Sequence, residues 1–129
     1  MSQTASRPVK IPGADHPITI RRHPKQVVVT VAGRAIADSR DALALREADY
    51  PIVLYIPRKD VDMTLLERAS HSTYCPYKGE ASYFSIPLAG ARGTNAIWTY
   101  ETPHPPAAEI KDHLAFYPDR VTIEERPLD

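Results

Sequence analysis

Proline constrains this chain more than any other residue type. Thirteen of its 129 residues are proline, about twice the usual share of ~5%. Each proline fixes φ at about −65° and removes a backbone donor, so closely spaced prolines exclude long helices. The segments between them are short, and most alternate apolar and polar residues with period two, as half-buried strands do. The sequence therefore predicts a mainly β fold.

The run Val27–Val31 is the clearest predicted strand, because β-branched side chains suit a pleated surface. Gly33 follows it in a predicted hairpin turn, where glycine adopts left-handed backbone at low cost. The other predicted strands cover 18–22, 34–37, 52–56, 81–86, 96–100, 116–117 and 121–123.

Two segments carry sequence features of helices. One short helix is predicted at 106–113, with proline in the first turn, an acidic residue early and basic residues late. Segment 39–48 fits either a helix capped by Ser39 or a strand in which Leu43, Leu45 and Glu47 fall on alternate positions. We favour the strand.

Length and composition indicate one globular domain. A chain of 129 residues with 43% hydrophobic and 25% charged residues falls in the range of single domains with a modest core. We expect a flexible N-terminal segment at 1–11, a single β domain at 12–124 and a C-terminal tail at 125–129.

Charge and cysteine content exclude several functional classes. The formal net charge is zero, so we expect neither nucleic acid nor a membrane surface as a partner. A single cysteine excludes an internal disulfide and a zinc site built from several thiolates. The five histidines show no metal-ligand spacing, so no metal or cofactor is predicted. Without an apolar leader or span, a cytoplasmic location is expected.

The densest chemistry lies between residues 55 and 100, in the motifs Cys75-Pro76-x-Lys78-Gly79 and Trp98-x-Tyr100. Further motifs in order along the chain are Ala37-Asp38-Ser39, Glu47, Tyr55-Ile56-Pro57-Arg58-Lys59-Asp60-Val61 and Ala115-Phe116-Tyr117-Pro118-Asp119-Arg120-Val121.

From about residue 12 to 124, this pattern resembles the family called domain of unknown function 427, also labelled a nucleotidyltransferase-like domain. The resemblance implies a small antiparallel domain of β-tent type, with two roughly orthogonal sheets. Zinc-bearing relatives of that fold use two Cys-x-x-Cys pairs, which this sequence lacks. The resemblance implies no agreed activity.

The nucleotidyltransferase label can be tested on the carboxylates. Such enzymes hold divalent metal with two or three carboxylates and commonly present Gly-Ser before Asp-x-Asp. Asp60-Val61-Asp62 is an Asp-x-Asp without a Gly-Ser, and the sequence has no glycine-rich phosphate loop. Asp60 is better interpreted as a turn or capping residue. Nucleotidyl transfer is therefore the less favoured activity.

Cys75 is a candidate nucleophile because the Lys78 ammonium, three residues away, favours the thiolate. A catalytic thiol also needs a base, for which His71 is the nearest candidate in sequence. The other interpretations of Cys75 are a metal ligand and a small buried apolar residue, the usual state of an unpaired cysteine.

Glu47 and Lys78 either form a salt bridge that pins the loop or hold a polar ligand between an acceptor and a donor. Strand alternation places several aromatic residues on one sheet face, as core or as pocket walls. We favour a small-molecule-binding module. Its predicted ligand-binding residues are Glu47, Tyr55, Cys75, Lys78, Tyr83, Trp98 and Tyr100.

Two alternatives remain open at the level of sequence. One is an enzyme that uses Cys75 or the Glu47/Lys78 pair. The other is a structural or interaction module whose aromatic residues are only core. A homodimer is also compatible with the predicted strands, because small β domains often cover an unpaired edge by association.

Overall fold

The computed structural model describes residues 7–128, which form ten strands in two antiparallel sheets. This architecture confirms the predicted mainly β fold. The strands are β1 (Ile18–Arg22), β2 (Lys25–Val31), β3 (Arg34–Ser39), β4 (Leu43–Glu47), β5 (Val53–Pro57), β6 (Glu67–Cys75), β7 (Gly79–Ser85), β8 (Ile97–Thr99), β9 (His113–Phe116) and β10 (Thr122–Pro127).

The larger sheet has seven strands in the order β1-β4-β5-β9-β8-β7-β6, and the smaller has three in the order β10-β2-β3. Four short 3₁₀ helices connect strands, and no helix in the described residues is long and apolar enough to span a membrane. The 3₁₀ helices are Arg58–Asp60, Met63–Leu65, Pro87–Gly93 and Pro105–Ile110.

The ambiguous segment 39–48 contains strand β4, as we favoured. Its alternation decides the matter, because Leu45 and Glu47 are buried while Arg46 between them is exposed. The helix predicted at 106–113 is instead a 3₁₀ helix at Pro105–Ile110, and β9 begins three residues later at His113. Two consecutive prolines at its start lack backbone donors, and the helix kinks at Ala107. These features prevent a regular α-helix.

Strand β6 was not predicted. Six of its nine residues are exposed, so its sequence carries little of the apolar alternation by which strands are detected. The C-terminal boundary also differs from the prediction, because β10 continues to Pro127 and pairs with β2 along its length. The paired chain therefore extends beyond residue 124.

The N-terminal segment is partly tied to the domain. Residues 1–6 of the predicted flexible segment 1–11 lie outside the described residues. The Tyr74 hydroxyl donates to the Pro8 carbonyl at 2.7 Å, and the Lys10 amide donates to the Pro76 carbonyl at 3.0 Å. The segment therefore lies against the β6–β7 hairpin.

Alternation along the strands divides the buried residues between two cores. Val29, Ile56 and Phe84 belong to the core between the two sheets. Tyr55 and Tyr83, one position away on the same strands, belong to a second core on the other face of the seven-stranded sheet. Burying such a side chain stabilises the fold by roughly 1.5–3 kcal/mol. The period of two thus sets which residues face which core.

Within the seven-stranded sheet, β5 and β9 have the fewest paired residues. These strands pair only through Ile56 with Leu114 and Pro57 with His113. The first half of β5, at Val53 and Leu54, pairs with β4 but has no partner on β9. The β5–β9 pairing therefore ends at Ile56 and Leu114.

Candidate functional site

Three side chains, His16, Glu47 and Lys78, form a polar cluster at the end of β4. The Lys78 ammonium donates a hydrogen bond to Glu47 Oε1, and His16 Nε2 lies 2.8 Å from Glu47 Oε2. The Glu47 and Lys78 side chains are 11% and 12% exposed. The salt bridge expected as one interpretation of Glu47 and Lys78 is therefore present and nearly buried.

The β6–β7 turn fixes the position of Lys78. Cys75 pairs with Gly79 across the hairpin, which leaves Lys78 at the end of a three-residue turn. Gly79 has φ of 109°, a conformation that favours glycine. The Lys78 carbonyl accepts a hydrogen bond from the His104 amide at 2.9 Å. A rigid turn thus holds the ammonium over β4.

His16 is a member of the polar cluster that the sequence did not predict. Its ring stacks on Tyr77 with a centroid distance of 4.0 Å and an interplanar angle of 5°. His16 lies 31 residues before Glu47, and neither spacing nor periodicity links the two. Only the fold, which carries the N-terminal segment over the β6–β7 turn, could have indicated this contact.

The electrostatics of the cluster favour an ionised carboxylate. Burial alone would raise the pKa of Glu47, but the hydrogen bonds from Lys78 and His16 outweigh burial and hold it below its usual value of 4.5. The Lys78 ammonium also lies 5.9 Å from the centre of the Tyr100 ring. The Glu47 carboxylate is therefore ionised at neutral pH, and the Lys78 ammonium compensates its charge.

The predicted aromatic residues lie on one face of the seven-stranded sheet, as expected. Tyr55, Tyr83 and Tyr100 are buried in the second core, against which Trp98 and Cys75 pack. The Trp98 indole N–H donates to the Tyr55 hydroxyl at 3.2 Å. Burial raises the pKa of Tyr55 and of Tyr100 well above the usual 10.0. Both phenols therefore remain neutral at physiological pH.

The structure gives local roles to other candidate residues. Cys75 is a half-buried free thiol, and His71 packs edge-on against Tyr83 at 4.6 Å. Asp60 accepts a hydrogen bond from Ser39 at 2.7 Å. Asp62 caps a 3₁₀ helix by accepting from the Thr64 amide. Within residues 7–128, no three His, Cys, Asp or Glu side chains are grouped so that they could hold a metal ion.

An apolar cavity of about 470 Å³ lies where β5 and β9 stop pairing. Trp98 is the one predicted ligand-binding residue among those that line it. Tyr50 and Ile52, which are 61% and 52% exposed, belong to its mouth. The residues lining the apolar cavity are Val27, Val29, Tyr50, Pro51, Ile52, Val53, Leu54, Ile56, Trp98, Phe116, Pro118, Ile123 and Glu125.

Trp98 connects the apolar cavity with the second core. The Trp98 side chain lines the cavity, and its indole N–H donates to the hydroxyl of Tyr55 in the second core. Its ring also lies 4.6 Å from the ring of Tyr117. Burial and the neighbouring Tyr83 hydroxyl raise the pKa of Tyr117 to about 12. The indole is therefore held by neutral aromatic partners while one part of it faces the cavity.

A second cavity of about 500 Å³ lies beside the β2–β3 turn and is more polar. Arg92 and Arg120 line it. Their guanidinium groups donate to main-chain carbonyls, Arg92 to Asp119 and Arg120 to Arg92 and Thr94. These bonds tie two connecting segments together, which gives both arginines a structural role.

Comparison with known proteins gives a family but no activity. The model of a family described as "Domain of unknown function (DUF427)" matches residues 19–126. No curated protein matches the chain at a significant level.

Proposed function

This chain belongs to the DUF427 family, a domain of unknown function, and we propose that it is a small-molecule-binding module whose ligand occupies the apolar cavity. The cavity of about 470 Å³ falls within the range of roughly 300–1,000 Å³ that small-molecule sites occupy. Its walls are mainly aliphatic and aromatic, as in most such sites. The cavity with Trp98 in its wall is the observation that carries the proposal.

Trp98 supports the proposal through its fixed orientation. Its hydrogen bond to Tyr55 and the edge-to-face contact of the two rings, with centroids 6.3 Å apart, restrain the indole before any ligand arrives. A side chain that is already ordered loses little conformational entropy on binding. An aromatic wall of this kind therefore favours a flat or aliphatic ligand.

We assign Glu47 and Lys78 a structural role in the same binding module. Their salt bridge lies on the sheet face that also carries Tyr55, the partner of Trp98. The two charges compensate each other through the hydrogen bond between them, and neither residue lines the apolar cavity. We propose that the pair fixes the sheet face behind Trp98 and that the ligand body remains in the cavity.

The proposal can be tested with the neutral probe N-phenylnaphthylamine, whose emission rises in apolar surroundings. The chain has one tryptophan, so energy transfer to the probe reports proximity to Trp98 alone. We expect a saturable rise in probe emission when Trp98 is excited. Emission that rises without saturation would contradict the proposal.

A matched pair of variants locates the bound probe. Ile52→Glu places a charge at the cavity mouth and should weaken probe binding about tenfold, which corresponds to ~1.4 kcal/mol. Ile11→Glu makes the same change at a residue that is 76% exposed and does not line the cavity, so it should leave affinity unchanged. Equal affinities for the two variants would mean that the probe binds elsewhere.

A further inference from the structure

We infer that the apolar cavity selects an organic cation, namely a ligand with an apolar body and one protonated amine; this inference rests on the proposed function. Of the thirteen described residues that line the cavity, Glu125 is the one with a formal charge. A single carboxylate at the edge of an otherwise apolar site favours a ligand of the opposite charge and disfavours one of the same charge.

Glu125 has a carboxylate oxygen that can accept a hydrogen bond from such a ligand. Its Oε1 lies 2.6 Å from His23 Nε2. In the part of the chain that the structure describes, its Oε2 has no hydrogen-bond partner. The Glu125 side chain is 43% exposed, so it lies at the edge of the site and not in its depth. An ammonium N–H can therefore reach Oε2 without breaking an existing bond.

His23 is the ionisable group that contacts Glu125, and the basic residues on the same pair of strands do not line the cavity. Neither Lys25 of β2 nor Arg126 of β10 is among the residues that line the cavity. Arg126 donates two hydrogen bonds to Glu124. Glu124 and Glu125 are adjacent on β10, so their side chains point to opposite faces of the sheet. The charge at the cavity is thus that of Glu125 with its His23 contact.

The aromatic walls act in the same direction as the carboxylate. Tyr50, Trp98 and Phe116 all line the cavity. The face of an aromatic ring is negative and attracts a cation within about 6 Å of its centre. Glu125 repels a carboxylate ligand and attracts an amine, and any ring face that meets the ligand acts in the same direction. The class of ligand is accordingly an aralkyl or alkyl amine.

Three compounds with one body separate charge from shape: phenylbutylamine, phenylbutanol and phenylbutyrate. Their affinities are measured by displacement of N-phenylnaphthylamine at pH 8, where the amine is protonated and the acid ionised. The amine should bind at least about fivefold more tightly than the carboxylate, as expected for a half-exposed charge. In Glu125→Gln the two affinities should agree within about twofold. Glu124→Gln, the matched control on the opposite face, should keep the wild-type ratio.

The outcomes distinguish the inference from the proposed function. Equal affinities of amine and carboxylate in the wild type, with the probe still bound, would overturn the inference and leave the binding module in place. The inference is likewise overturned if the ratio persists in Glu125→Gln or is lost in Glu124→Gln. Failure of the probe and of all three compounds to bind would overturn both. An amine preference lost only in Glu125→Gln would support the inference.

Discussion

Removal of the Lys78 ammonium should destabilise the fold more than removal of any exposed lysine charge. In Lys78→Met the aliphatic stem remains, but Glu47 stays in a nearly buried position with His16 as its other partner. A carboxylate that loses its cation in such a place retains the cost of desolvation without the compensating attraction. The variant therefore tests whether the cluster is held together as described.

The expected loss can be estimated from the burial of the pair. Removing one partner of a fully buried salt bridge costs about 3–5 kcal/mol. The Glu47 side chain is 11% exposed and keeps the His16 contact, so we expect a smaller loss of about 2–3 kcal/mol. With the urea dependence usual for small proteins, this loss lowers the midpoint of unfolding by roughly 1–2 M.

Urea unfolding followed by circular dichroism measures the effect. The matched control is Lys59→Met, because the Lys59 ammonium pairs with Asp41 while its side chain is 64% exposed; its midpoint should move far less. The double variant Glu47→Gln/Lys78→Met should lose less stability than the two single variants added together. If the midpoint of Lys78→Met falls no further than that of Lys59→Met, the reasoning is refuted.

Three further predictions concern pH, reactivity and the turn. The ionised form of Glu47 contributes stability that is present above its unfolded pKa and is lost as the pH falls through its lowered folded pKa. The stability of Glu47→Gln should therefore fall less steeply than that of the wild type below about pH 4.5. Identical acid profiles of the urea midpoint in the two proteins would contradict this. The half-buried thiol of Cys75 should react with iodoacetamide at least about tenfold more slowly in the folded than in the urea-unfolded protein, so equal rates would count against its packing. Gly79→Ala should lower the free energy of unfolding by about 1–3 kcal/mol because φ is 109° and a Cβ would lie 3.4 Å from the His104 amide. The control Gly13→Ala, where the Cβ would meet open space, should leave thermal unfolding nearly unchanged. Equal losses in the two variants would be inconsistent with strain at the turn.

Local patterns were enough to predict most strands. Strand β1 coincides with the predicted 18–22 because its residues alternate in burial. Strands β2 and β5 lie within two residues of their predicted bounds because β-branched and aromatic residues favour strands. Strand β6 lacks this signal since it is mostly exposed at a sheet edge. Sequence patterns report burial, so an exposed edge strand escapes them.

The site was predicted less completely for a related reason. The pairing of Glu47 with Lys78 and the clustering of the tyrosines follow from residue type and alternation. The contact of His16 with Glu47 depends on the course of the N-terminal segment, which no periodicity encodes. The apolar cavity arises because β5 and β9 pair at only two positions, and strand pairing is a tertiary property. Of its lining residues, Trp98 alone was among the predicted ligand contacts.

The central claim is that a small molecule binds beside Trp98, and the indole N–H resonance of this residue tests it most directly. One tryptophan gives one indole cross peak in a ¹H–¹⁵N spectrum, so no assignment is needed to follow it. We predict that phenylbutanol, a neutral compound, shifts this peak saturably together with the amides of Val53 and Phe116, which line the same cavity. An indole peak that stays in place while other amides shift would contradict the claim.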